Sequence, residues 1–187
     1  EVYKPTYITQ HTLNLTGGSE VGRYLVSFDY LDQPGLVKNT EYQRYSYRVN
    51  TDLNIGKMLK VSSDVTYRHV DRLWPESLGS VQYDVWSMQP TSPVRYENGD
   101  YRLDKQNRNA ISLMDLDVVG EDRYNMDVVY GQVKADFEPI KDLVFTGMAS
   151  LNGSWDRRKI HYKNYKYYNE AGELVTQRNN PNSVKDS

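Results

Sequence analysis

The stretch that decides the fold is Arg44-Tyr45-Ser46-Tyr47-Arg48-Val49-Asn50-Thr51-Asp52-Leu53-Asn54-Ile55. Tyr45, Tyr47, Val49, Thr51, Leu53 and Ile55 fall on one side of an extended chain, and Arg44, Ser46, Arg48, Asn50, Asp52 and Asn54 on the other. Successive side chains of a strand point to opposite faces, so this alternation predicts a strand with one apolar and one polar face. It runs well beyond the usual ~5–6 residues of a strand and matches the ~9–11 that cross a membrane.

The same pattern recurs on both sides of that stretch. Leu13 and Leu15 oppose Thr12, Asn14 and Thr16. Tyr24, Val26, Phe28 and Tyr30 oppose Arg23, Ser27 and Asp29, and Leu59, Val61, Val65 and Tyr67 oppose Lys60, Ser62, Asp64, Thr66 and Arg68. Further on, Val129, Val133, Ala135 and Phe137 oppose Gln132, Lys134, Asp136 and Glu138. Leu143, Phe145, Ala149, Leu151 and Trp155 oppose Thr146, Ser150, Asn152 and Ser154. About six strands are expected. Their connections alternate in length. Gly17-Gly18-Ser19-Glu20, Gly56-Lys57-Met58 and Pro139-Ile140-Lys141-Asp142 are tight turns, and Asp32-Gln33-Pro34-Gly35 opens a medium loop ending near Thr40. Two long segments, about 70–123 and about 156–187, complete the set. Short turns at one end and long loops at the other are the habit of outer-membrane barrels. Alternation alone also fits a soluble sheet with its apolar face inward.

Composition points the same way. The chain has 187 residues, a net charge of -2, 38% hydrophobic residues, and 17 Tyr against 3 Phe. Tyrosine tolerates one wet end and collects where apolar and aqueous surroundings meet. Cysteine is absent, which excludes a disulfide scaffold and a thiolate metal site. Interspersed charges of both signs give no electrostatic case for nucleic acid. No apolar run approaches the ~20 residues of a transmembrane helix. A start at Glu1-Val2-Tyr3 without Met suggests a processed product or a fragment.

Three segments carry a family resemblance. His11-Thr12-Leu13-Asn14-Leu15-Thr16-Gly17-Gly18-Ser19-Glu20 resembles the HNLSVSGGSE segment of SusC-like TonB-dependent transporters. Ser27-Phe28-Asp29-Tyr30-Leu31-Asp32-Gln33-Pro34-Gly35-Leu36-Val37-Lys38-Asn39-Thr40, with Tyr24 before it, is similar to that family's YYASLGYLDQEGIVKNT. Tyr42-Gln43-Arg44-Tyr45-Ser46-Tyr47-Arg48-Val49-Asn50 is similar to its YKRYNFRLN. Order and spacing agree, and the likeness is densest over about residues 10–70. The resemblance implies an all-β fold, an antiparallel transmembrane barrel segment belonging to a plugged barrel of roughly 22 strands. These strands would lie near the start of that barrel, with the plug and the TonB-binding box outside this chain. It further implies an integral protein of the Gram-negative outer membrane that imports oligosaccharides or oligopeptides. Its partners would be TonB, outer-membrane lipid and a SusD-like surface lipoprotein acting as a lid, with no cofactor. A soluble β-rich ligand-binding module and an outer-membrane adhesin are the alternatives.

Catalytic signals are poor. His11, His69 and His161 lack metal-ligand spacing, Ser19 does not sit in G-x-S-x-G, and the acids around Asp115 and Asp117 lack the EF-hand pattern. The long loop is the functional candidate. It offers Trp74, Tyr83, Trp86, Tyr96 and Arg95, with Arg72, Glu76 and Asp84 nearby. Ring faces cover apolar patches of a sugar or peptide while polar neighbours fix its orientation. The rival expectation packs Trp74 and Trp86 inside the loop. Val94 to Leu103 is expected to form a hairpin turning at Asn98-Gly99 with a type I′ turn. Arg23, Asp29, Arg44, Arg48, Lys60, Asp64 and Arg68 are expected on the polar face, paired across strands. The tail, Tyr-rich and basic from Arg157 to Tyr168, is expected to form two strands turning at Glu170-Ala171-Gly172-Glu173.

Overall fold

The computed structural model describes residues 2–89, 91, 93–169, 171–178 and 184–186. Six long strands, β1 (Thr9–Gly18), β2 (Gly22–Asp32), β3 (Glu41–Ile55), β4 (Leu59–Pro75), β5 (Gly120–Ile140) and β6 (Leu143–Tyr162), lie side by side, each antiparallel to the next. Beyond them β7 (Tyr165–Tyr168) and β8 (Leu174–Arg178) form a separate hairpin, and β9 (Val184–Asp186) pairs with Lys159–His161 of β6. Of the expected tail turn, Gly172 donates to Asn169. Glu170 of that turn, like residues 179–183 and 187 of the tail, lies outside the described residues.

Register explains why the strands share faces. Leu15 stands opposite Val26, Val26 opposite Val49, Val49 opposite Val65, Val65 opposite Gly131 and Gly131 opposite Leu151. A one-residue slip of any strand would carry its apolar set to the other face. On the opposite, polar face the charged groups satisfy one another. Asp29 accepts from Gln10 Nε2 at 2.7 Å, Thr12 Oγ1 at 2.8 Å and Arg44 Nη2 at 3.1 Å, and Arg48 reaches Asp64 at 3.0 Å. The expected charge ladder is present at these positions. Nothing among the described residues covers the apolar face: Leu151 is 70% exposed, and Leu13, Val133, Phe145 and Trp155 are exposed with it.

Toward the long-loop end, the apolar face changes to rings. His11, Tyr30, Tyr45 and His69 form one row across four strands, with centroids 6.4, 5.0 and 6.2 Å apart in turn. Phe28, Tyr47 and Tyr67 form the next row down, at 5.0 and 6.1 Å. These rings are cross-strand neighbours aligned in a belt. Tyr24 is apart from it, at the short-turn end opposite Gly17 and Thr51.

The dry core sits above the sheet, among the long connections, which we term the crown. Val81, Ala110, Met114, Val119 and Tyr167 are buried there, with Asn109 and Ser112. The paired strands carry further into this region than the sequence predicts. β4 continues through Pro75 and β5 starts at Gly120, so the irregular segment is shorter than 70–123 and Trp74 is a strand residue. Within it, α1 (Leu78–Ser87), a 3-10 turn (Ser112–Met114) and α2 (Leu116–Val119) supply regular structure. Two turns differ from expectation. Pro139 and Ile140 remain in β5, leaving Lys141-Asp142 as the turn with Asp142 at φ 69°. At Asn98-Gly99 only the glycine has positive φ, at 92°. A type I′ turn needs positive φ at both central residues. Here Gly99 N donates to Tyr96 O at 3.0 Å and Tyr96 N to Asp100 O at 2.9 Å, which makes a three-residue loop closed by a glycine bulge.

Candidate functional site

Where the crown meets the polar face of the sheet, a cleft of about 560 Å³ opens between the β2–β3 loop, the end of β4 and α1. Tyr42 and Trp74 line its floor from adjacent strands, Leu36 and Thr40 one wall, and Val81 and Gln82 the other. The register makes this grouping: Tyr42 opposes Arg72 on β4, two residues from Trp74 on the same face. The Arg72 guanidinium lies 3.8 Å from the Trp74 ring centroid and 4.9 Å from that of Tyr124. A cation on a ring face holds the indole plane in place. Beside this stack Arg158 grips the buried Asp122 through Nε at 3.0 Å and Nη2 at 2.6 Å.

The loop walls are tied down individually. Gly35 N donates to Thr40 O at 2.8 Å, and Asn39, at φ 59°, donates its side-chain amide to Met114 O at 2.7 Å. The N-terminal stretch joins the same wall through Lys4 N to Leu36 O at 2.9 Å. Deeper in the crown, Asn109 Nδ2 bridges the carbonyls of Val94 and Arg102 at 2.8 and 2.7 Å, which clamps the small hairpin shut. Tyr101 donates to Asp115 at 2.7 Å. Burial pushes its phenol up to about 12, with the Asp115 carboxylate adding to the shift. Burial also raises the Asp84 carboxyl on α1.

Of the five residues singled out from sequence, Trp74 lines the cleft. Tyr83 and Trp86 share the solvent face of α1, 69% and 80% exposed, opposite its buried Val81 and Asp84. Trp86 therefore does not pack inside the loop. Arg95 and Tyr96 belong to the small hairpin, where Arg95 stacks 3.7 Å over Tyr101 and Arg102 lies 5.4 Å from the Tyr96 ring. The structure thus distributes the five over three places. Sequence reasoning missed Tyr42, Gln82 and the Leu36–Thr40 wall. Tyr42 carried a usable signal, since it continues the polar-face set of Arg44 and Arg48 one step toward the loop end.

Fold and site together define a class: an antiparallel wall with one apolar and one polar face, open on both, with a folded crown at the end where a cleft looks onto the polar face. The chain is 32% identical over 98 residues, 52% of its length, to TonB-dependent receptor P26 of Formosa agariphila. It is 34% identical over 65 residues, 35% of its length, to TonB-dependent receptor P3 of the same organism. The matched segments cover 10% and 6% of those receptors, so the chain corresponds to a small part of their length. No family model matches the chain. The sequence likeness is to TonB-dependent receptors, and the mostly antiparallel β architecture is consistent with a piece of such a receptor's barrel.

Proposed function

We propose that this chain forms a wall section and part of the outer crown of a SusC-like importer in the outer membrane. Such a protein passes oligosaccharides or oligopeptides inward, is driven through TonB, and is covered by a SusD-like lipoprotein. The observation that carries the reading is the uncovered apolar face of β1–β6, belted by rings at the crown end. An apolar patch spanning six strands is far larger than the few hundred Å² that soluble monomers expose. β3–β6, at 15 to 21 residues, outrun the ~9–11 needed to cross the membrane. The receptor likeness supports import, and the segments between His11 and Asn50 favour the SusC-like branch.

The work is binding and gated passage without covalent chemistry. Trp74 and Tyr42 meet the apolar patches of the cargo, and Gln82 and the Thr40 segment offer hydrogen bonds. Tyr83 and Trp86 face the cargo from α1, and Arg95 and Tyr96 from the hairpin. The test is uptake of labelled oligosaccharide and oligopeptide pools by cells lacking the receptor and complemented with the full-length protein. One pool should be taken up only with the protein present, and a protonophore should abolish it. Trp74→Ala should lower uptake about tenfold, as for a buried aromatic anchor. Recovery of the protein in the soluble fraction, or uptake indifferent to the protonophore, would sink the reading.

A further inference from the structure

Arg72 stands at the margin of the cleft floor, on the polar face. Its register partners are Tyr42 on β3 and Tyr124 on β5, and Trp74 follows two residues on toward the crown. Tyr42 and Trp74 line the cleft, so two of its neighbours are cleft residues. Its guanidinium lies against the Trp74 and Tyr124 rings, yet it makes no hydrogen bond or ion pair among the described residues. Nε is enclosed without a partner, and the two Nη atoms are not enclosed. A guanidinium donates only in its own plane, so rings on its faces leave its edges for recognition, and the open edge here is the terminal Nη pair. On the same face Arg44, Arg48 and Arg158 each hold a carboxylate, whereas Arg72 is held by rings.

The acids around it are engaged or turned away. Asp122, diagonal to it across the β4–β5 pair, receives Arg158 Nε and Nη2. Asp29 accepts from Arg44, and Glu76 accepts from Ser77 Oγ at 2.6 Å. Asp71 and Glu41 follow the pleat to the opposite face, Glu41 across from Leu73. Asp156 stands opposite Met126, two strands away. A cation fixed in orientation beside a cleft, with its outer donors open, is preorganised for an anionic ligand. The cleft also says what carries the anion. Trp74 and Tyr42 offer flat ring surface, but β3 and β4 are each paired on both sides and present no free edge to a peptide backbone. A sugar acid joins an apolar ring face to a carboxylate within one unit.

We propose that Arg72 is a carboxylate subsite of the cargo cleft and that the cargo is an acidic oligosaccharide. A uronic acid unit presents its carboxylate end-on to the two Nη of Arg72, and the adjoining sugar lies on Trp74 and Tyr42. The proposal rests on the reading of the cleft as the cargo site. It is tested on the full-length protein in detergent, applied to an array of neutral, uronic-acid and sulfated oligosaccharides and acidic peptides. Each oligouronide retained is then compared with its carboxyl-reduced counterpart by isothermal titration calorimetry.

The wild type should retain oligouronides and bind them about tenfold more tightly than the reduced counterparts. Arg72→Gln should erase that ratio, and Arg72→Lys, which keeps the charge without the fork, should restore part of it. A guanidinium that only props the indole would lower affinity for both sugars alike and leave the ratio unchanged, which overturns the proposal. Retention of neutral sugars, sulfated sugars or acidic peptides in place of oligouronides also overturns it and leaves the cleft as the cargo site. Binding that Trp74→Ala does not weaken removes the cleft reading, and the proposal with it.

Discussion

The phenol oxygen of Tyr167 lies 2.5 Å from the hydroxyl of Ser112, at the centre of the crown. The bond joins the tail hairpin to the long loop in a place where both side chains are buried. Burial pushes the Tyr167 phenol from its ordinary value of 10.0 up to about 12. The folded state therefore holds a proton that the unfolded chain releases first. Its contribution is fully present below pH 10 and disappears as pH rises toward about 12. Phenolate absorbance should show late-titrating tyrosines, Tyr101 among them, whose ionisation coincides with loss of near-UV ellipticity. Removal of that late phase by Tyr167→Phe and Tyr101→Phe together would bear out the assignment, and its persistence would refute it.

Asn109 is a buried hub of the crown, making three side-chain hydrogen bonds. It donates to Val94 O and Arg102 O and accepts from Ser112 N at 3.0 Å. Asn109→Ala leaves the Arg102 carbonyl and the Ser112 amide without these partners, while Val94 O keeps its bond from Arg102 N, at a local cost of about 2–4 kcal/mol. Limited proteolysis should then cut between residues 95 and 102 while the sheet stays protected. Wild-type resistance in the variant would show that the clamp is dispensable.

Gly120 ends α2 and starts β5 at φ 95°, and an added Cβ would overlap the carbonyl oxygen of His161. Gly120→Ala should cost about 3 kcal/mol or more, because positive φ and backbone overlap act together. Gly131→Ala and Gly147→Ala, where a Cβ meets open space, should shift the thermal midpoint little. Equal midpoints for all three would contradict the close approach.

Neighbouring residues on β6 test the two faces. Leu151 is exposed on the apolar face and Ser150 points to the polar one. Leu151→Arg should impair assembly into outer membranes by about 2–4 kcal/mol, the cost of a cation near the bilayer midplane. Ser150→Arg should assemble normally, as read by the heat-modifiable band. Equal tolerance of the two would mean that no lipid faces Leu151.

How much of this was legible depends on the distance over which a signal acts. The two faces could be read because alternation is itself the pleat, as in Tyr45 to Ile55. The β2–β3 loop could be read because Pro34-Gly35 stops one strand and Glu41 starts the next at the predicted place. Helix α1 could not. Gly79, Val81, Tyr83, Val85 and Trp86 are indifferent or poor helix formers, and its inner face, Val81 and Asp84, is fixed by packing on the 3-10 turn. A buried aspartate there contradicts any pattern of polar-out. The cleft stayed hidden for a related reason. Tyr42 and Trp74 meet only through the β3–β4 register, which no local window contains.

The last rung of the β4–β5 ladder sets Pro75 against Glu121, and just above it Glu76 N reaches Gly120 O at 3.3 Å. The β4–β5 part of the crown, residues 76–119, thus leaves and rejoins the wall at a single doorway, one strand spacing wide. Anything that folds with its ends that close can hang from the same doorway, and no residue of the wall has to be rewritten for the exchange. The wall keeps the address while the β4–β5 connection is free to change its occupant.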